Sequence, residues 1–224
     1  MSLESSIARV LDSVRQAGSD AGRAENSVKV IAVTKYSDSA VTREFAESGL
    51  LDLAENRAEL LLQKQADLSD LTNIRWHLIG NLQRRKVKTI INSIDTFHAL
   101  DSIALAQEIS KRAVHPVKCL IEVNVSGEES KHGFKPAQLE ETARQLNELP
   151  NLIIIGLMTM APIDADDEEL SRIFSSTREL RDRISSLALP NCPCTELSMG
   201  MSRDYKIAVK EGATMVRIGH DFLK

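Results

Sequence analysis

Short apolar segments alternate with amphipathic helical patterns along nearly the whole chain. Eight segments are rich in β-branched and other apolar residues, and they predict strands. They lie near 28–35, 51–55, 73–79, 94–99, 116–125, 151–158, 195–198 and 214–218. Most are separated by stretches in which apolar residues recur every three or four positions, a spacing typical of helices that bury one face. The alternation indicates an α/β protein with parallel strands.

Two helices are marked most clearly by their first residues. The stretch 167–187 follows the acidic run 166–169, and acidic side chains suit a helix N-terminus. Pro136 is expected to open a second helix, because proline is favoured at the first helical position. The apolar face of the first helix carries Leu170, Ile173, Phe174, Thr177, Leu180, Ile184 and Leu187.

The number of elements favours a closed barrel. Eight strands with helices between them in 224 residues predict a (β/α)8 TIM barrel, and a doubly wound open sheet is the alternative. An apolar content of 42% without a shift in composition predicts one domain over residues 1–224. The chain ends six residues after Ile218, which leaves little room for an eighth helix there. We expect that face to be covered by the amphipathic segment before the first strand, which carries Ile7, Val10, Leu11 and Val14.

The charge of the chain argues against two classes of partner. The net charge is −4 and the sequence pI is about 5.8, with basic residues spread along the chain. This pattern predicts no binding to nucleic acid or to an anionic membrane, and the short basic run 84–88 is expected to be a solvated helix face. The first residues lack a signal-peptide pattern, and no apolar stretch approaches the roughly 18 residues of a membrane span. We therefore expect a cytoplasmic protein, and a monomer.

The three cysteines fit neither a disulfide framework nor a zinc site. Cys119 lies in a predicted strand, and the pair Cys192 and Cys194 has no second pair of ligands nearby in sequence. We expect three reduced thiols and no metal site.

Lys35 is the strongest candidate for chemistry. It closes the first predicted strand, so its amine is expected at the mouth of the α/β fold, where such proteins place their sites. A lysine amine can form a Schiff base with an aldehyde, and pyridoxal phosphate is the commonest aldehyde cofactor. On its own the position is also that of many solvated or ion-paired lysines.

The segments after the last two strands predict a phosphate site. Gly200 lies in the hydroxyl-rich stretch 198–204, and Gly219 follows the eighth strand. Glycine permits close backbone approach, and exposed N–H groups attract an anion. In a closed barrel the eighth strand neighbours the first, which places Lys35 beside these loops. The alternative is that both glycines only make turns.

Arg217 is expected to point into the barrel mouth, because Val216 and Ile218 on either side of it suit the helix-facing side. A buried guanidinium needs a partner, and a pyridine nitrogen or a phosphate would serve. Arginine stays protonated, so it would donate to the ring nitrogen and restrain carbanion chemistry. The alternative is an internal ion pair with Glu122 or Asp95.

Motifs over nearly the whole chain resemble those of the pyridoxal phosphate homeostasis proteins. They are Ile-Ala-Val-Thr-Lys at 31–35, Ala-Glu-Asn at 54–56, the stretches 76–83, 123–133 and 156–162, Leu-Ser-Met-Gly-Met-Ser at 197–202 and the stretch 212–219. The resemblance implies a barrel like the N-terminal domain of alanine racemase, with pyridoxal 5'-phosphate bound to Lys35. Three departures are Ala54 before Glu-Asn, His220 where a small hydroxyl residue is common, and Arg84-Arg85 after Leu-Gln.

The resemblance also implies which residues hold the cofactor. Phosphate contacts are implied for Ser198 and for the backbone around Gly200 and Gly219, and Arg217 is implied to lie near the cofactor. Asn56 and His77 fall on the motifs of the same pocket and are expected to line the ring, unless they are hydrogen-bonded loop and core residues. How His220 contributes to phosphate binding is left open by its departure from the pattern.

Three functions remain open at the level of the sequence. The favoured one is a carrier of pyridoxal phosphate for vitamin B6 homeostasis, with little or no catalysis and possible transfer to apo forms of pyridoxal phosphate enzymes. The alternative is an amino-acid racemase, which needs acids or bases on both faces of the substrate carbon. Neither tyrosine is an evident second one, because Tyr36 is expected to face away from Lys35 if the strand continues through it, and Tyr205 lies early in a helix. The third is a lysine Schiff-base aldolase.

The polar stretch 126–135 is expected to be a mobile loop over the mouth, with little to bury. Lys131 within it is expected to meet a leaving cofactor.

Overall fold

The structure is a computed structural model that describes residues 2–128 and 132–224. Lys131 and its two preceding neighbours lie outside the described residues, and the prediction for that part of the loop stays a prediction.

Within the described residues, eight parallel strands close into a barrel in sequence order. The strands are β1 Lys29–Val33, β2 Asp52–Glu55, β3 Arg75–Leu78, β4 Thr96–Leu100, β5 Val117–Glu122, β6 Leu152–Met158, β7 Glu196–Met201 and β8 Met215–Ile218. Closure is made by β1 and β8, where Lys29 is opposite Met215 and Ile31 is opposite Arg217. The predicted (β/α)8 barrel is confirmed, and the open doubly wound sheet is excluded.

Helices alternate with the strands on the outside of the barrel. They are α1 Leu3–Asp20, α2 Ser39–Glu47, α3 Ala58–Asp67, α4 Val87–Ile90, α5 Ile103–Arg112, α6 Leu139–Asn147, α7 Asp167–Ser186 and α8 Tyr205–Lys210. The helix expected at 167–187 is confirmed as α7, and the Asp166 side chain accepts a hydrogen bond from the backbone N–H of Glu169 at its start. The element expected at Pro136 begins as a 3-10 turn and continues as α6.

Helix α1 covers the side of the barrel next to the last strand, as predicted. Its residues Ile7, Val10 and Val14 are buried, and it packs against α8 and against the 3-10 turn His220–Leu223. Arg9 donates to the carbonyl of Asp221 over 2.7 Å. The helix therefore closes the outer layer where β8 is followed by only a short turn.

The apolar core lies mainly between the strands and the helices, where large buried side chains pack together. They include Phe45, Leu53, Leu61, Ile90, Phe97, Ile109 and Phe174. Cys119, Cys192 and Cys194 are free and buried in this layer. A second and much smaller apolar cluster of Ile31, Ala54 and Met215 is separate from it. Several other buried side chains of the strands are polar, among them His77, His98, Ser198 and Arg217. Their hydrogen bonds hold the residues below the mouth of the barrel.

Candidate functional site

A cavity of about 580 Å³ lies at the carboxyl ends of the strands. We call it the mouth cavity. The structure brings together Lys35, Asn56, Arg217 and Gly219 on its wall, with His220 beside them. These residues follow or end three different strands, β1, β2 and β8, which are neighbours in the closed barrel, so the barrel alone accounts for their convergence.

Lys35 lies two residues beyond the end of β1 and is half-buried on the wall of the mouth cavity. Its Nζ lies 5.0 Å from the centre of the Tyr36 ring, and it has no acidic partner within 4.0 Å among the described residues. Tyr36 was expected to face away from Lys35 if the strand continued through it, and that condition is not met. The strand ends at Val33, so side-chain alternation no longer applies at Tyr36, and its ring also lines the cavity.

A buried ion pair supports the backbone directly behind Lys35. Lys64 of α3 pairs with Glu55 and donates to the carbonyl oxygen of Thr34 over 2.7 Å. Thr34 Oγ1 donates to the same Glu55 oxygen over 2.6 Å. The three side chains are almost fully buried. The amine of Lys64 is thus held by two acceptors away from the cavity, whereas the amine of Lys35 has neither.

Arg217 lies where strand parity predicted, on the wall of the mouth cavity and 4% exposed. Its NH1 donates to the carbonyl oxygen and to Oγ of Ser198, each over 2.7 Å, and its NH2 donates to the carbonyl oxygen of Thr159 over 3.0 Å. Burial lowers the pKa of Arg217 to about 10, which leaves it protonated at neutral pH. Among the described residues it forms no ion pair with Glu122 or Asp95, so that alternative is not what the structure shows.

Two carboxyl groups near Arg217 are more easily protonated than usual. Burial raises the pKa of Glu122, and the charge of Asp101 raises it further. Burial also raises the pKa of Asp204, although the backbone N–H of Met201 donates to it.

The side of the cavity next to β7 and β8 is suited to an anion. Ser202 Oγ accepts from the backbone N–H groups of Gly219 and Asp221 over 3.4 and 3.3 Å, both long for hydrogen bonds. Ser202 therefore holds these N–H groups only weakly, and donating to a ligand instead would cost little free energy. A Cβ on Gly219 would lie 2.9 Å from the carbonyl oxygen of Val33, so glycine permits the close approach of β8's end to β1. Arg203 lies on the same wall.

Ser202 was missed by the sequence prediction, which chose Ser198 for the phosphate. Both hydroxyls belong to the Leu-Ser-Met-Gly-Met-Ser motif, and the signal that separates them is the end of the strand. Ser198 lies within β7 and is fully buried, whereas Ser202 follows β7 and lines the cavity. Asn81, also missed, lines the cavity after Gly80 at the end of β3.

Three predicted site residues are not on the wall of the mouth cavity. Ser198 is bonded inside the barrel to Arg217 and to His98, with its Oγ 2.9 Å from His98 Nδ1. His77 lies within β3 and lines a different cavity at the opposite end. Gly200 has a φ of +92°, and a Cβ on it would lie 2.6 Å from that of Ala208, so it allows β7 to pack against α8. Direct cofactor contacts from Ser198 and His77 do not fit this geometry, because both side chains point into the interior below the mouth.

The opposite end of the barrel contains a cavity of about 420 Å³, which we call the base cavity. Its centre is Asp52, which accepts two hydrogen bonds from Arg75, pairs with Lys29 at 3.7 Å and lies 3.0 Å from His77 Nε2. Burial alone would raise the pKa of the Asp52 carboxyl, but hydrogen bonds from Arg75 and His77 hold it well below its usual range. The base cavity is thus a cluster of charges that satisfy one another.

The described part of the chain contains no cluster of three or more side chains arranged to hold a metal ion. It also contains no helix that is long and apolar enough to cross a membrane.

Comparisons with known proteins agree on one family. The family model for the N-terminal domain of alanine racemase matches residues 15–223. A pyridoxal phosphate homeostasis protein of Aquifex aeolicus is 43% identical over 221 residues, which cover 95% of this chain and 93% of that protein. One from Pseudomonas aeruginosa is 38% identical over 216 residues, covering 95% of this chain and 91% of that protein.

Two solved structures extend the likeness to the fold. The structure of PipY of Synechococcus elongatus with PLP bound has a TM-score of 0.87 and 31% identity, and each chain is covered completely. Alanine racemase from Corynebacterium glutamicum has a TM-score of 0.73 at 16% identity, over 97% of this chain and 60% of that one. The second likeness shows the fold alone.

Proposed function

Because the chain belongs to the pyridoxal phosphate homeostasis protein family, we propose that it binds pyridoxal 5'-phosphate in the mouth cavity as a Schiff base on Lys35. The observation that carries this proposal is the convergence of three groups on one cavity. They are the unpaired amine of Lys35, the guanidinium of Arg217, and the Ser202 hydroxyl with the nearby N–H groups of Gly219 and Asp221.

Each group matches one part of the cofactor. The amine of Lys35 condenses with the aldehyde, and the aldehyde oxygen leaves as water. Arg217 has donors left after its bonds to Ser198 and Thr159, and it offers them to the ring nitrogen, which has a lone pair to accept. Ser202 and the backbone at Gly219 bind the phosphate, and Asn56 borders the ring. Pyridoxal phosphate supplies an electron-accepting ring when it is bound.

The same geometry supports a carrier with little or no catalysis. Arg217 stays protonated and acts as a donor, so it disfavours a proton on the ring nitrogen and weakens the ring as an electron acceptor. Racemisation also needs acids or bases on opposite faces of the substrate carbon. Tyr36 lies beside Lys35 rather than opposite it, and the Tyr205 hydroxyl donates to Ser13 of α1 outside the barrel.

The cellular role follows from a reversible bond in an open site. We propose that the protein serves vitamin B6 homeostasis in the cytoplasm as a monomer, and that it can pass the cofactor to apo forms of pyridoxal phosphate enzymes. The mouth is rimmed by exposed apolar side chains, with Tyr36 67% and Ile163 84% exposed, so the cavity is reachable from solution. Light scattering of the purified protein tests the monomer, and a dimer at micromolar concentration would contradict it.

Borohydride reduction followed by peptide mapping tests the attachment. We expect the reduced cofactor on Lys35, with loss of the visible absorption band of the Schiff base. Modification of another lysine, or none, would contradict the assignment, and a colourless protein that is active on carbonyl substrates would favour a lysine aldolase.

Incubation of the loaded protein with L-alanine in deuterated water tests the absence of catalysis. We expect no appreciable α-hydrogen exchange and no D-alanine. Turnover at ordinary enzyme rates would favour the racemase instead, and Tyr36→Phe would then show whether Tyr36 is its second acid or base.

A further inference from the structure

A continuous series of hydrogen bonds crosses the inside of the barrel from the base cavity to the mouth cavity. His77 Nε2 lies 3.0 Å from Asp52 Oδ1, and His77 Nδ1 lies 2.9 Å from His98 Nε2. On its other side, His98 Nδ1 lies 2.9 Å from Ser198 Oγ, which accepts from NH1 of Arg217 over 2.7 Å. We call these five residues the interior relay. They come from five strands, and all are buried.

The two ends of the interior relay fix the direction of its hydrogen bonds. Asp52 is ionised and can only accept, and Arg217 can only donate. With His98 neutral and its proton on Nε2, His98 donates to His77 Nδ1, and His77 in turn donates from Nε2 to Asp52. The Ser198 hydroxyl then donates to His98 Nδ1 and keeps its oxygen as an acceptor for Arg217. Every polar hydrogen in the interior relay has an acceptor in this arrangement.

The reverse direction leaves a buried group unpaired. Burial lowers the pKa of His98 well below its usual value, and the positive charge of Arg217 acts in the same sense, so His98 is neutral. With its single proton on Nδ1, His98 would donate to Ser198 Oγ, which already receives a donor from Arg217. The hydroxyl hydrogen of Ser198 would then have no acceptor among the described residues. An unsatisfied buried hydroxyl is costly.

The donors of Arg217 show what the interior relay achieves at the mouth. Of the five N–H donors of a guanidinium, both on NH1 are used by Ser198 and one on NH2 by Thr159. The donor on Nε and one on NH2 make no hydrogen bond among the described residues, and Arg217 lines the mouth cavity. The three N–H groups that are already bonded fix the plane of the guanidinium. They therefore determine the direction in which the two remaining N–H groups point.

We propose that His98 and Ser198 are positioning residues for the ring nitrogen of the cofactor. They hold the guanidinium of Arg217 from below, so that its two remaining N–H groups face the bound ring. This inference rests on the proposed function for the identity of the ring, but not for the arrangement of protons in the interior relay. His98 itself touches neither the cavity nor the cofactor.

The proton arrangement is tested without the cofactor by ¹⁵N NMR of the unmodified protein. The chain has only five histidines, and His77→Asn and His98→Asn assign the two buried ones. We expect His98 to be neutral with its proton on Nε2, and His77 to carry its proton on the Nε2 that faces Asp52. A proton on Nδ1 of His98 would overturn the proposal, whether or not the cofactor binds. The exposed His115 serves as an unconstrained reference within the same spectrum.

The positioning role is tested by two variants that each keep one half of the imidazole. His98→Asn places an amide oxygen near Nδ1 and keeps the acceptor for Ser198, whereas His98→Gln keeps a donor near Nε2 and loses that acceptor. Without that acceptor, Ser198 no longer holds Arg217 in place, and the hydrogen bond from Arg217 to the ring nitrogen is altered. We therefore expect His98→Gln to weaken cofactor binding about tenfold and to shift the visible band. His98→Asn should bind within about twofold of the unmodified protein with an unshifted band.

Equal behaviour of the two variants in affinity and band position would overturn the positioning role while leaving the proposed function intact. If neither variant folds, Ser198→Ala provides the same test from the other side of the bond, with the same expected weakening and band shift. Failure to label Lys35 in the unmodified protein would instead contradict the proposed function, and the NMR result would still decide the direction of the interior relay.

Discussion

The mouth and the base of the barrel hold cavities of similar size, about 580 and 420 Å³. They differ in whether the charged side chains on their walls are paired with one another. At the base, Asp52 is surrounded by Lys29, Arg75 and His77, so opposite charges satisfy one another. At the mouth, Lys35 has no acidic partner among the described residues, and Arg217 keeps donors for a ligand. Cavity volume does not separate the proposed binding site from the structural cavity, whereas the pairing of the charges does.

The difference arises from where the residues lie on the strands. Lys29, Asp52 and Arg75 begin β1, β2 and β3, and the register of the sheet places Asp52 directly opposite Arg75. The pairing of neighbouring strands therefore holds side chains of opposite charge next to each other. Lys35 and Ser202 follow the ends of their strands, where no register assigns a partner. Groups in such positions are available to a ligand.

The largest expected effect separates the two ends by their lysines. Lys35→Met should abolish covalent attachment of the cofactor completely, because no other amine among the described residues lines the mouth cavity. Lys118→Met at the base cavity is the matched control and should keep the visible band. The half-buried position of Lys35 predicts a stability change below about 1 kcal/mol in urea unfolding. A visible band in folded Lys35→Met protein would move the attachment elsewhere.

The next largest effect concerns the stability of the base. Asp52→Ala should lower the free energy of unfolding by about 2–3 kcal/mol, because it leaves His77 and two cations without their carboxylate. This loss is smaller than the roughly 3–5 kcal/mol expected when a fully buried ion pair is broken. The reason is that Arg75 and Lys29 are partly exposed, so water can solvate their charges.

Urea unfolding measures this loss, and Asp70→Ala, which breaks an exposed pair with Arg43, should give no measurable change. Asp52→Ala should still form the Schiff base on Lys35. An undiminished stability of Asp52→Ala would mean that the base charges do not support the barrel.

A smaller effect tests the anion side of the mouth. Ser202→Ala should weaken binding of pyridoxal phosphate about tenfold, because a hydrogen bond to a charged group is worth about 1.5–3 kcal/mol and the freed N–H groups of Gly219 and Asp221 compensate in part. Pyridoxal, which lacks the phosphate, should bind at least about a hundredfold more weakly than pyridoxal phosphate to the unmodified protein. It should bind Ser202→Ala and the unmodified protein equally. Spectroscopic titration gives all four affinities, and an equal loss for both ligands would contradict a phosphate contact.

The last effect, which is seen only when the pH is changed, is a dependence of stability on pH that originates at His98. Its pKa is lowered in the folded state, so below the unfolded pKa, near 6.5, the unfolded chain binds a proton that the folded chain does not. The contribution is fully present above pH 6.5 and is lost as the pH falls, by about 1.4 kcal/mol per pH unit. His98→Asn cannot take this proton, so the difference in unfolding free energy between the two proteins should shrink as the pH falls from about 7 to 5. A difference independent of pH would contradict a neutral buried His98.

Much of the fold could be predicted because local pattern and tertiary structure agree. The eight apolar segments became the eight strands of the described barrel. The largest discrepancies are at 116–125, where β5 already ends at Glu122, and at 195–198, where β7 continues to Met201. The parity that placed Arg217 inside the barrel held because Arg217 lies within a regular strand. The same rule failed for Tyr36, which lies beyond the last residue of β1.

The site was harder to predict because parity gives the side of a strand and not the depth along the barrel. Ser198 and His77 point inward as their positions allow, but both lie too deep to reach the mouth cavity. His98 carried no signal of its own in sequence, since its partners are distant in the chain and meet it only when the barrel closes. Ser202 could have been chosen over Ser198 from the end of β7, had that boundary been known.

The burial of the three cysteines has a consequence for the proposed binding of an aldehyde. Thiolates add readily to aldehydes and would compete with an amine for the same carbon. Burial raises the pKa of the Cys119 thiol, and a hydrogen bond with Cys192 together with burial raises that of Cys194. All three side chains are inaccessible to solvent. The cysteines are therefore compatible with the proposed attachment of an aldehyde to Lys35, because no accessible thiolate would compete for it.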